Sequence, residues 1–175
     1  IESIHTKFCR KILGVKKSTN LEALYGEPNR IPIYIHRKIL MNKYWITILK
    51  SSENCLLAKT YKMLKTDVDN NISSNGSNWA SNIKRILDES GLSYIWNSQY
   101  TTQINLQPIK QRILDMFHQQ WYTQINNSPR LDTYCLFKHS FNLETYLDTI
   151  KEPKYKLAVA QLRTSSHSLS IETGR

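Results

Sequence analysis

Apolar residues recur every three to four positions along almost the whole chain, a period that predicts helices and hardly any strand. In IESIHTKFCRKILG, Ile1, Ile4, Phe8 and Ile12 fall on one face, which predicts that this face packs inward. Lys7, Arg10 and Lys11 cluster beside it, and Gly14 is placed to end the helix. In TNLEALYG, Thr19 and Glu22 have capping-box spacing and Gly26 is a second stop signal, after which Pro28 and Pro32 mark a turn. The segment from Tyr34 to Lys50 is apolar almost all round, with Arg37, Lys38 and Lys43 able to keep charged heads in water, and reads as a central helix. Cys55–Lys65 predicts a further helix with Leu56, Leu57, Tyr61 and Leu64 on one side and Lys59, Lys62 and Lys65 on the other.

The polar, turn-forming run Asp67–Asn78 breaks this pattern and reads as a linker. Beyond it, Trp79, Ile83, Ile86 and Leu87 line a helix that Gly91 stops, and Tyr94, Ile95 and Trp96 fit either a short strand or a packed loop. Ile109, Ile113, Met116, Phe117 and Trp121 make the buried stripe of a long helix over Pro108–Asn126. Ser128–Pro129 opens another helix with Leu131, Tyr134, Leu136 and Phe137, Leu143–Ile150 gives a short one, and Pro153 opens the last. The expected fold is all-α, seven or eight helices packed in two groups. The expected organisation is a basic helical part over 1–66, a linker over 67–78 and a helical scaffold over 79–175.

Charge sharpens that division. The chain of 175 residues carries a net charge of +10, and Ile1–Lys65 alone holds thirteen Lys/Arg against Glu2, Glu22, Glu27 and Glu53, a net of +9. Thr66–Arg175 holds eleven cations against ten acids. An anionic partner is therefore expected on the first third, against the plainer reading of a solvated surface. Cys9, Cys55 and Cys135 are too few and scattered for a disulfide framework, which fits a reducing, intracellular setting. The longest uncharged run, Ser90–Ile109, is rich in Ser, Thr, Asn and Gln and is no membrane span. The chain opens on Ile, so its true start is expected upstream.

Candidate chemistry is sparse. There is no glycine-rich phosphate loop, H-E-x-x-H or G-x-S-x-G motif, and the neighbouring acids Asp67/Asp69 and Asp88/Glu89 fall in the linker and at a helix end. His5/Cys9 and Cys135/His139 each have i,i+4 spacing and could form a Cys₂His₂ zinc site if their helices met, but buried structural cysteines beside surface histidines are the commoner arrangement. His167 beside Ser165 and Ser166 lacks an orienting third group, which favours loop hydrogen bonding over nucleophilic catalysis. No cofactor, metal or catalytic residue is expected. The four tryptophans fall mainly on apolar stripes, leaving Tyr25, Tyr34 and Tyr44 as the aromatics near enough to cations to stack on bases.

Five stretches, in order, carry a family resemblance: IESIHTKFCRKILGV, ALYGEPNRIPIYI, KYW, QRILDMFHQQWYTQINNSPRLDTYCLFK and LRTSSHSLSIETGR. Together they resemble the region C-terminal to the reverse transcriptase domain in non-LTR (LINE-type) retrotransposon polyproteins. In that family the catalytic carboxylates lie upstream, and no Tyr/Phe-x-Asp-Asp occurs here. The family's R-x-x-S-H-x-L-x-I-E-x-G-R phrase, matched by Arg163, Ser166, His167, Leu169, Ile171, Glu172, Gly174 and Arg175, leads into a zinc-knuckle-like segment.

The resemblance implies a thumb or linker that grips a template–primer duplex through its backbone, including an RNA–DNA hybrid read by shape and phosphates. It also implies the polymerase domain of the same polyprotein as a partner. The expected phosphate contacts are Lys7, Arg10, Lys11, Lys16, Lys17, Arg37 and Lys38. The resulting expectation is a non-catalytic nucleic-acid-binding segment. The competing one is a helical protein-interaction module, or a retroelement remnant that no longer binds nucleic acid.

Overall fold

In the computed structural model, residues 1–70, 78–99 and 104–167 are described. Among them the chain is all-α: α1 (Glu2–Leu13), α2 (Leu21–Gly26), α3 (Ile33–Leu49), α4 (Leu56–Asp69), α5 (Trp79–Glu89), α6 (Ser93–Ser98), α7 (Leu106–Asn126), a 3-10 turn (Pro129–Leu131), α8 (Asp132–Phe137), α9 (Thr145–Thr149) and α10 (Pro153–Arg163). A single isolated bridge, Pro28 to Leu143, is the only β pairing among the described residues. None of the described helices is long and apolar enough to cross a membrane. The chain forms two compact units: unit 1 is Ile1–Tyr34 with Phe117–Arg175, and unit 2 is Ile35–Met116. Unit 2 is continuous in sequence while unit 1 is assembled from both ends of the chain, and α3 and α7 each contribute residues to both. Of the expected 67–78 linker, Asp67–Asp69 complete α4, Asn78 caps α5, and 71–77 lie outside the described residues.

Unit 1 packs α1 and α2 against α10 through Cys9, Leu13, Leu24, Tyr25 and Ala160, with Val15, Phe141, Tyr146 and Leu147 alongside. The inner face of α1 is therefore Thr6, Cys9 and Leu13. The Ile1, Ile4, Phe8, Ile12 stripe is exposed, correcting the expectation from periodicity, and lies about a third of the way round the helix from the buried face. Glu2 fixes this rotation: its carboxylate accepts from the Tyr25 hydroxyl at 2.7 Å and from the Tyr34 amide at 3.1 Å. Gly14 ends α1 in the left-handed region at φ 62, where glycine carries no Cβ penalty, and its carbonyl accepts from Gln161 Nε2 at 2.6 Å.

Asn20, rather than Thr19, caps α2 by accepting from the Glu22 amide at 2.8 Å, and Thr19 bonds Ser166 instead. Gly26 leaves no room for a side chain, since a Cβ there would meet the Tyr134 hydroxyl at 2.7 Å and Trp121 Cζ2 at 2.8 Å. Trp121 is fixed in turn by donating Nε1 to the Glu22 carbonyl at 2.9 Å.

Beside that contact lies a buried ionic chain. Glu27, fully buried, takes Arg163 Nε at 3.1 Å on both oxygens and the Tyr146 hydroxyl at 2.6 Å. Arg163 Nη2 lies 2.8 Å from Glu144, whose other oxygen accepts from Lys138 Nζ at 2.6 Å. Lys138 Nζ also donates to the Asn142 carbonyl. Two carboxylates and two cations neutralise one another, which is what burying charge requires. Burial raises the Glu27 carboxyl above its ordinary range, while the Tyr146 hydrogen bond and the Arg163 charge pull it back.

Unit 2 is built on aromatics. Trp45 of α3 donates Nε1 to the Tyr61 hydroxyl at 2.9 Å, and Gln99 Nε2 donates to the same oxygen at 2.9 Å. The Trp45 and Trp96 rings stack at 6.2 Å, and Tyr61 meets Trp96 edge-on at 6.5 Å. Trp96 lies on α6, so Tyr94–Trp96 form a helix where the sequence left strand or loop open, with Ile95 and Trp96 turned inward. Ile83, Ile86 and Leu87 of α5 are buried as their spacing predicts, and Gly91 follows in the left-handed region at φ 69.

Removing one member of the ionic chain leaves its buried neighbour uncompensated. Lys138→Met is expected to lower stability by about 3 kcal/mol in urea titration. Glu27→Gln should cost a similar amount, because Arg163 and Lys138 are left with Glu144 alone and the new amide N–H₂ faces the donors Arg163 Nε and Tyr146 hydroxyl. In unit 2, Tyr61→Phe strands the Trp45 and Gln99 donors and should cost about 2 kcal/mol by the same measurement.

Candidate nucleic-acid interface

The expected cations divide between the two units. In unit 1, Lys7 and Lys11 are exposed one turn apart on α1, on the side away from Cys9 and Leu13. Their presentation follows from the inner face: with Thr6 against Tyr25 at 3.0 Å and Glu2 held by Tyr25, these lysines have no inward option. Burial pushes the Tyr25 hydroxyl up to about 12, and the Glu2 carboxylate beside it adds to that shift. Tyr25 is thus a buried structural group and not a stacking platform, a correction to its candidacy. Arg10 is half-buried, and its buried Nε has no hydrogen-bond partner among the described residues.

Lys16 and Lys17 sit on the loop between α1 and α2. The Lys16 amide donates to Ser166 Oγ at 2.7 Å, and its ammonium reaches the His167 carbonyl at 2.8 Å. Lys17 is exposed. The phrase beginning at Arg163 therefore does two structural jobs, since Arg163 joins the ionic chain and Ser166 pins this basic loop. Ser168–Arg175, the rest of the expected lead-in, lie outside the described residues.

In unit 2, Arg37 is exposed, while Lys38 is committed to Glu89 at 2.9 Å. Arg85 holds the other Glu89 oxygen at 2.8 Å. The Lys38 hydrogen bond is the main reason the Glu89 carboxyl lies below its usual value. Two cations the sequence reasoning passed over, Lys43 and Lys50, border a cleft of about 580 Å³ with Ile46, Thr47, Ile104 and Leu106. Their spacing of seven residues, which places Lys43 on α3 and Lys50 just past its end, was the available signal. Tyr44, half-exposed beside Lys43, meets Trp79 edge-on at 5.8 Å.

The remaining chemistry is structural. Burial raises the thiols of Cys9 and Cys135, so neither is poised as a thiolate. Cys135 donates to the Ile125 carbonyl at 3.1 Å, and His5 lies against the Tyr25 ring at 5.4 Å, near Glu2. Among the described residues no group of three or more His, Cys, Asp or Glu is arranged to hold a metal. Ser166, with Thr19 and the Lys16 amide on its hydroxyl, is buried and engaged.

A carboxylate held below its ordinary pKa stabilises the fold fully above its unfolded value and loses that contribution as pH falls through the folded one. The stability gap between the parent and Glu89→Gln is therefore expected at about pH 6 and should close as the pH drops below 4.5, read as urea midpoints across the acid range. Compared with known proteins, the chain matches no family model, no curated protein and no solved structure.

Proposed function

We propose that this chain is a non-catalytic nucleic-acid-gripping segment of a LINE-type reverse transcriptase polyprotein, acting on an RNA or RNA–DNA duplex. The observation that carries the reading is electrostatic. Of the thirteen Lys/Arg in Ile1–Lys65, only Lys38, Lys62 and Lys65 form ion pairs among the described residues. The other ten keep their charge uncompensated, as phosphate binding requires and fold stability does not. The five stretches that resemble the retroelement family supply the context of a template–primer grip.

A second reading, a helical protein-interaction module, is favoured by one observation. Ile1, Ile4, Phe8 and Ile12 are 88, 71, 53 and 47% exposed on one side of α1. An apolar stripe of that kind suits a protein partner better than a phosphate backbone.

Fluorescence anisotropy with a labelled RNA–DNA hybrid over a range of salt concentrations separates the two. The expected result is a log affinity that falls linearly with log salt, with a slope reduced by about 1.5 to 2 in Lys7→Glu/Lys11→Glu. An association insensitive to salt, unaffected by that charge reversal and abolished by Ile4→Ser/Phe8→Ser, would instead establish the protein-interaction reading.

A further inference from the structure

Unit 1 holds a polar cleft of about 320 Å³ that none of the expected cations borders. Its walls come from three separate parts of the chain: Ser18, Thr19 and Asn20 on the basic loop, Arg130 and Leu131 on the 3-10 turn, and Thr164 and Ser165 after α10. Among the described residues, no carboxylate lines it.

Several of these groups are already committed, and they make the cleft rigid. Thr19 Oγ1 donates to Ser166, Thr164 Oγ1 donates to the Ala160 carbonyl, and Asn20 Oδ1 accepts from the Glu22 amide. What remains is a set of donors. Among the described residues, the Arg130 guanidinium makes no ion pair or hydrogen bond, the hydroxyls of Ser18 and Ser165 are unengaged, and Asn20 still has its amide N–H₂. A guanidinium with hydroxyl and amide donors around one cavity, and no acid to compete, is the complement of a tetrahedral oxyanion.

The end of α10 fixes the Ser165 hydroxyl in place: Ser165 adopts φ 50 one residue past the helix cap Thr164, with its amide on the Leu162 carbonyl, a left-handed helix end usually filled by glycine. Here the position carries a hydroxyl that lines the cleft. The Ser166 amide bonds the Gln161 carbonyl at 2.8 Å, so the turn is fixed on both sides of the contact. This gives the Arg163–His167 phrase a third task besides the ionic chain and the loop pin.

We propose that the cleft bordered by Ser18, Asn20, Arg130 and Ser165 is a phosphate site that takes one phosphodiester of the bound strand. It rests on the nucleic-acid reading above and adds a defined contact to it. The site lies beside the Lys16–Lys17 loop, so a phosphate seated there would place the strand's neighbouring phosphates within the field of those lysines.

The test measures hybrid affinity as a function of salt for the full chain and three variants. Arg130→Ala should weaken binding about tenfold and lower the salt slope by about 0.9. Ser165→Gly removes the hydroxyl while relaxing the backbone. It should weaken binding without lowering the melting temperature, which separates the site from a folding defect. Lys110→Ala, an exposed cation of unit 2 with the same charge loss, is the control and should change little.

Inorganic phosphate at matched ionic strength should displace the hybrid from the parent better than chloride does, and lose that advantage in Arg130→Ala. If Arg130→Ala binds the hybrid as tightly as the parent, or loses no more than Lys110→Ala, the assignment is overturned while the proposed function stands. If inorganic phosphate stabilises the parent through Arg130 but hybrid affinity is indifferent to that residue, the cleft takes free phosphate and the strand assignment fails. A parent that binds no hybrid at any salt concentration would remove the proposed function and this site together.

Discussion

The organisation of unit 1 rests on a buried ionic chain, Glu27–Arg163–Glu144–Lys138, joining the end of α2, the end of α10, the start of α9 and the end of α8. Each charge is buried or nearly so, and each would be costly alone in that setting. Because attraction compensates desolvation only when geometry and remaining hydrogen bonds are satisfied, the chain tolerates few alternative arrangements of these four helix ends. Tyr146 and the Asn142 carbonyl complete the coordination. Arg163 also lies over the rings of Phe137 and Tyr146, which cover its planar faces. Directly beside Glu27, Gly26 admits the Tyr134 hydroxyl and Trp121 at distances no side chain would permit.

That anchoring reaches the surface through short covalent steps. Arg163 fixes the end of α10, so Ser165 and Ser166 are delivered to the loop between α1 and α2 with little freedom. Ser166 then holds the Lys16 amide, and Gln161 holds the Gly14 carbonyl. A loop carrying two lysines and a polar cleft is thereby preorganised, and a ligand would meet donors whose ordering entropy is already spent in folding. Unit 2 reaches comparable rigidity by another route, with Tyr61 as common acceptor for Trp45 and Gln99 inside a tryptophan cluster.

The two surface features of α1 point to different kinds of partner, and they share one helix. Rotation set by Glu2 and Tyr25 turns Lys7, Lys11 and the Ile1–Ile12 stripe outward together. Ten of the thirteen Lys/Arg in the first third form no ion pair among the described residues, so the positive field of this part of the chain is little screened by acids.

By itself the sequence determined that the chain is helical, where most helices start and stop, and that its positive charge is concentrated before Thr66. These are local properties: a 3.6-residue period, Gly14 and Gly91 in the left-handed region, Pro153 opening α10 and a residue count. Legible too were the buried stripe Ile109, Ile113, Phe117 and Trp121 and the exposed lysines of α1. Only the tertiary structure decided which face of α1 turns inward. Periodicity chose Ile1, Ile4, Phe8 and Ile12, but the hydrogen bonds of Glu2 and Thr6 with Tyr25 favour the face of Cys9 and Leu13. Likewise, nothing local reveals that Lys138 is buried, that Glu27 meets Arg163 across 136 positions, or that Ser18, Arg130 and Ser165 border one cavity. Such pairings depend on partners distant in the chain, whose proximity no window of sequence contains.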